Sequence, residues 1–129
     1  MAKILSRTQI DAIVALPGPK RYQHFIKVVA DWEVVWGLYK DGWALASTED
    51  GEKVFPVWPA KEYADMCAGG EWEEYEVKSF SVDELMTELV PSLKNDGVLV
   101  GVFYTPSDNG VVPDMEQFIE DINAELEKY

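Results

Sequence analysis

The sequence is poor in the side chains that carry most protein chemistry: one histidine, His24, and one cysteine, Cys67, stand among 129 residues. A lone cysteine excludes an intramolecular disulfide and any thiolate metal cluster built within one chain, and it favours a reducing compartment. Cys/His pairs at zinc spacing, an EF-hand loop, a Walker phosphate loop and a dinucleotide glycine fingerprint are all missing. Metal, nucleotide and phosphoryl chemistry therefore have no sequence support, and no cofactor is expected. A membrane-spanning helix needs about 18 or more consecutive apolar residues, and no such run occurs. The opening Met1-Ala2-Lys3-Ile4-Leu5-Ser6-Arg7 lacks the apolar stretch of a signal peptide. The expected location is cytoplasmic.

Positive charge is scarce as well. Eleven Lys and Arg face 24 Asp and Glu, for a formal net charge of −13. The imbalance is uneven: residues 1–40 hold Lys3, Arg7, Lys20, Arg21, Lys27 and Lys40 against Asp11, Asp31 and Glu33, a net +3 that leaves −16 on the remainder. Phosphate backbones and anionic lipid are bound by the Lys and Arg that neutralise them, so neither nucleic acid nor a membrane is an expected partner. The acidic remainder would instead steer a basic protein, or the positive segment of a second copy in a homo-oligomer.

What is present suits a folded domain. The chain is 47% hydrophobic with five Trp, six Tyr and five Phe, and a chain of this length buries about two-thirds of its unfolded surface in one core. The expected unit is a single α+β domain over 1–129, with 1–18 a helical extension and 19–129 the core. Ser6-Arg7-Thr8-Gln9 has the form of a capping box ahead of Ile10, Ile13 and Val14, which predicts a helix to about residue 16. Pro19 opens a second helix whose stripe is Tyr22, Phe25, Ile26, Val29 and Trp32, with Lys20, Gln23, His24 and Lys27 opposite.

From Val34 the pattern changes to short β-type runs broken by Asp41-Gly42 and Asp50-Gly51, which predicts an antiparallel meander over 34–58 with strands near 34–39, 43–48 and 53–58. A helix beginning at Pro59 carries Tyr63, Met66 and Cys67 and stops at Gly69-Gly70; a fourth strand runs from Glu74 to Phe80. Ser81-Val82-Asp83-Glu84 is a second capping box, and its helix, with Leu85, Leu89 and Leu93, is kinked or broken by Pro91. The apolar run Val98–Tyr104 reads as a strand covered on both faces, the expected centre of a mixed sheet of about five strands with helices packed on it. Pro106-Ser107-Asp108-Asn109-Gly110 reads as a turn, and Asp114 opens a last helix with Met115, Phe118, Ile119, Ile122 and Leu126 on one face.

Candidate chemistry is thin. His24 sits on the polar helix face beside Lys20 and Lys27, neighbours that favour its neutral form, and reads as a solvated surface histidine. Cys67 reads as a packing residue near a helix C-terminus, the wrong end to stabilise a thiolate. Glu71, Glu73, Glu74 and Glu76 read as a solvated charge run, alternating with Trp72 and Tyr75. The aromatic concentration from Trp32 to Tyr75 is the feature that invites a function, because Trp and Tyr anchor interfaces when they reach the surface.

Trp36-Gly37-Leu38-Tyr39, Gly42-Trp43-Ala44-Leu45 and Phe55-Pro56-Val57-Trp58-Pro59, followed by Glu62-Tyr63-Ala64, resemble the bacterial family designated Domain of Unknown Function 2750. The likeness runs from Arg21-Tyr22 to the last helix and implies no activity, cofactor or catalytic residue. A fainter likeness in the order of elements links the second half to the amino-terminal domain of the enhanced serine sensitivity protein family, and by analogy implies an α+β protein-interaction module.

Two readings follow. The first is a non-enzymatic module that binds another protein, or itself, through an acid-rimmed aromatic surface formed by Trp36, Trp43, Trp58, Glu62 and Tyr63. The second is a small-ligand binder or carboxylate enzyme with a pocket at the sheet edge, drawing on Glu62, Asp65 and His24. An acidic mimic of nucleic acid is a third, with little beyond charge behind it.

Overall fold

The computed structural model describes residues 6–48, 50–69, 72–105 and 110–128. Helix α1 (Arg7–Val14) starts from the expected capping box: the Ser6 hydroxyl accepts the Gln9 N–H at 3.2 Å and the Gln9 side-chain oxygen accepts the Ser6 N–H at 2.9 Å. Ile10 is the residue α1 buries. Helix α2 (Gly18–Trp32) carries a proline in its first turn and ends where Glu33 adopts a left-handed φ of 57°. Its core face is Arg21, Phe25, Ile26, Val29 and Ala30.

The strands are β1 (Val34–Tyr39), β2 (Ala46–Ser47), β3 (Lys53–Val57), β4 (Glu76–Ser81) and β5 (Leu99–Val102). They do not form one five-stranded sheet. β1 pairs antiparallel with β4, while β2, β3 and β5 make a separate three-stranded sheet in which β2–β3 is antiparallel and β3–β5 parallel. The expected meander is therefore interrupted. Residues 43–47 change partners on the way, Trp43 bridging Tyr39 and Ala46 facing Val54, so only two residues hold strand geometry there.

Pro56 gives a physical reason for the split. Trp58 exchanges both backbone bonds with Trp36, at 2.9 and 3.0 Å, and in a strand alternate peptide groups point to the same edge. Pro56 thus turns toward the edge that β1 and β2 share, and has no N–H to offer there. β2 ends opposite Val54 and β1 joins only at Trp58, leaving the proline in the gap. A second correction concerns the centre of the sheet, which β3 occupies. β5 lies beside it and on its far side, among the described residues, meets a bridge from Val111.

Helix α3 (Lys61–Cys67) begins two residues after Pro59; Gly70, part of its expected stop, lies outside the described residues, as do Glu71 and most of the 106–110 turn. Ser81 caps α4 (Val82–Glu84), its hydroxyl accepting the Glu84 N–H at 3.0 Å, which is one half of the expected box. The chain continues as a π-helical turn, Leu85–Leu89, into α5 (Val90–Asp96). Next to Pro91 the α-helix is interrupted: the wider π turn, closed by Val90 N–H on Leu85 O, separates α4 from α5 and accommodates the ring and the missing donor. Gly97, at a φ of 70°, ends the helix in a left-handed cap.

Helix α6 (Met115–Leu126) buries Met115, Phe118 and Ile122, and Phe118 packs on Phe25 of α2 with ring centres 6.3 Å apart. The core joins both sheets and the helices through Phe25, Phe55, Trp58, Phe103 and Phe118, each with 1% exposure or less. Arg21, at 2% exposure, donates to Leu16 O at 2.6 Å and to Phe103 O at 3.3 Å. It ties the α1–α2 turn to the end of β5, where Phe103 takes a φ of 64°. Among the described residues no helix is long and apolar enough to cross a membrane.

Candidate functional site

The five residues expected to form an aromatic surface do not meet at one surface. Trp58 has no exposure and Tyr63 has 2%. The Trp58 indole N–H donates to Tyr104 O at 2.8 Å, and the Tyr63 ring packs 4.7 Å from that of Phe103. Burial, assisted by the charge of Glu62, pushes the Tyr63 phenol up to about 12. Glu62 itself is half-buried beside it.

Trp36 is half-buried and bridges Trp58, and residues paired across strands share a face. Trp43 lies on the other face of β1, over Gly37. Its ring comes within 3.1 Å of where a Cβ on residue 37 would stand, so a larger residue there would collide with it. Tyr39, Phe55 and Phe80 surround that indole at centroid distances of 5.2, 5.7 and 5.0 Å. Lys78 covers the Tyr39 ring at 4.2 Å, a cation–π contact. The aromatic motifs therefore build core on both sides of β1.

Cys67 is a packing residue, as expected. Its thiol lies 3.4 Å from Tyr104 O, and burial pushes it up to about 11, so little thiolate forms at neutral pH.

His24 departs from expectation. It is half-buried rather than solvated, and lines a cleft of about 380 Å³ between α1, α2 and the turn into α3. Gln9, Ala12 and Ile13 come from α1; His24, Val28 and Trp32 from α2; Pro59, Ala60 and Tyr63 from the other wall. The α2 residues recur at i, i+4 and i+8, a row on one helix face beside the core stripe. The Phe103 ring stands 6.3 Å from that of His24. Burial, then the charge of Lys27, lowers the His24 pKa below its ordinary 6.5, so the ring is neutral at pH 7. Glu62 and Asp65 are not among the lining residues; Asp65 is exposed and pairs with Lys61 at 3.9 Å. The cleft sits between helices and not at a sheet edge.

Sequence reasoning found His24, Trp32 and Tyr63 without placing them together, and it missed Val28, Pro59, Ala60 and the α1 wall. The 24/28/32 spacing was the available signal.

A second cleft, of about 480 Å³, opens on the opposite flank of α2, lined by Pro19, Tyr22, Gln23, Ile26, Val111, Asp121, Ala124 and Glu125. Two of its polar groups are engaged: the Tyr22 hydroxyl donates to Asp121 at 2.6 Å, and the other oxygen of that carboxylate accepts from Gln117, outside the lining, at 2.9 Å. Burial and that carboxylate hold the Tyr22 phenol well above its ordinary range. Among the described residues no group of three or more His, Cys, Asp or Glu side chains is arranged to hold a metal.

The family model described as Protein of unknown function (DUF2750) matches residues 22–122, most of the chain, and the chain belongs to that family. No curated protein matches it. Helix α1 precedes the matched span, so the cleft is composite: His24, Val28, Trp32, Pro59, Ala60 and Tyr63 lie within the span, and Gln9, Ala12 and Ile13 lie outside it.

Proposed function

We propose that this domain binds a small molecule in the cleft between α1, α2 and α3. The observation that carries the reading is the cleft's lining: aliphatic and aromatic side chains from three elements, with a neutral imidazole, one amide, an indole and a phenol as the residues that bear polar groups. Small-molecule sites are concave and mostly apolar, with a few placed polar groups that fix orientation, and span roughly 300–1,000 Å³. At about 380 Å³ this cleft falls in the lower part of that range. The other titratable group of the lining is Tyr63, whose phenol burial pushes up to about 12, so His24 has no partner there poised for acid–base or nucleophile–base work near neutral pH, and the reading is binding rather than catalysis.

The test is an amide NMR titration of the full chain with uncharged aromatic fragments. Shifts are expected to centre on Ala12, Val28 and Ala60, and to vanish in Ala60→Trp and, independently, in Ala12→Trp, each of which fills the cleft from a different wall. Fragment shifts scattered over the surface, or unchanged in both filled variants, would sink the reading.

A second reading, contact with another protein through the β1–β2 corner, is favoured by Leu45, a large hydrophobic residue with 42% exposure next to the half-buried Trp43 and Ala46. A basic partner would suit the net charge of −13. It uses none of the cleft-lining residues, so Ala60→Trp would leave it untouched.

A further inference from the structure

The cleft wall that α1 supplies has a donor left over. In the capping box the Gln9 side-chain oxygen is engaged by the Ser6 N–H at 2.9 Å, and an amide side chain has one oxygen acceptor and an NH₂ group with two donors. The oxygen is held at the helix start while the NH₂ group has no partner among the described residues, so Gln9 has an N–H to offer at the cleft. The same box that starts α1 thereby sets the polarity of one wall.

The remaining lining restricts the ligand further. Lys, Arg, Asp and Glu are absent from it, and a charged group brought against apolar walls loses hydration that nothing there replaces. Trp32 and His24, both half-buried, line the site with rings, and flat ligands gain stacking contacts from such surfaces.

Resting on the binding reading above, we infer that the cleft takes an uncharged, planar, conjugated molecule bearing a carbonyl-type acceptor, with the ring along the row of His24, Val28 and Trp32 and the acceptor on the Gln9 amide N–H. His24, as a neutral imidazole, supplies one further donor or acceptor beside the ring.

Four matched probes test this: naphthalene, 2-naphthamide, 2-naphthoate and 2-naphthylmethylammonium, titrated into the full chain and followed at the Ala12, Val28 and Ala60 amides. Naphthamide is expected to bind about tenfold or more tightly than naphthoate, and severalfold more tightly than naphthalene. Gln9→Glu is the informative variant. Glutamate satisfies a capping box as glutamine does, so α1 keeps its start, checked by the Ser6 and Gln9-position amide shifts, while the donor is replaced by a charge. The variant should lose roughly threefold to tenfold in naphthamide affinity and gain affinity for the ammonium probe. Naphthoate binding as tightly as naphthamide would overturn the ligand class, and so would a Gln9→Glu variant with an intact α1 and unchanged naphthamide affinity. Failure of all four probes, naphthalene included, to perturb the cleft would instead overturn the binding reading itself.

Discussion

The two flanks of α2 differ in what holds them. On the α6 side, Phe25 and Phe118 pack without exposure and Tyr22 is fastened to Asp121 at 2.6 Å. On the α1 side, one buried residue, Ile10, and the half-buried Ile13 and Val14 do the packing. The larger cleft lies on the fastened flank and the smaller on the loosely covered one. Volume is therefore a poor guide here. In the larger cleft the Tyr22 hydroxyl and the Asp121 carboxylate are committed to each other, and a ligand would have to break that bond to be recognised by either. In the smaller one the walls are apolar and the Gln9 N–H and His24 ring remain available.

Mutations should break this comparison unequally. The largest effect is expected from Phe118→Ala on the α6 side, which leaves a cavity against Phe25 and should cost about 3–5 kcal/mol of global stability, read by denaturant unfolding. A loss below about 1 kcal/mol would mean that this flank is not the fixed one. Ile10→Ala on the α1 side should cost about 2 kcal/mol or less globally. Its main effect should be faster hydrogen exchange in residues 7–14 with protection of α2 unchanged, because α1 can open without the core. Loss of protection in both helices together would make α1 part of the core.

The smallest expected effect sharpens the comparison through pH. The folded pKa of His24 lies below 6.5 because burial and Lys27 disfavour the imidazolium. As the pH falls through about 6.5, the unfolded chain takes up a proton at this residue that the folded chain resists. The stability contributed by His24 therefore declines with falling pH until the folded pKa is passed, and is constant below it. Wild-type stability minus that of His24→Gln should decrease from about pH 7.5 to about pH 5.5, the subtraction removing the many carboxylates common to both. A flat difference would place His24 in solvent.

Local signals in the sequence were read well. The Ser6 cap, the extent of α2, the change to β1 at Val34 and the start of α6 after Asp114 all follow from short-range chemistry: a side-chain oxygen at a helix start, an apolar period of 3.6, a change of period. The sheet was not legible in the same way. Its pairing joins β1 to β4 and β3 to β5 across long stretches of chain, and the gap at Pro56 matters only once the flanking strands are known. The aromatic residues misled for a related reason. Strand alternation separated Trp36 from Gly37, but only the folded chain lays Trp43 over that glycine and puts Trp58 in the core.

The sequence by itself determined the α+β class, the helix starts and the acidity, because composition, caps and periodicity act within a few residues. Tertiary structure decided the division into two sheets, the burial of the tryptophans and the conversion of His24 from a polar-face residue into a cleft wall. Each of these depends on which remote element arrives to cover a surface: α1 over the 24/28/32 row, β4 beside β1. That choice is made by packing between segments far apart in the chain, where no local period records it.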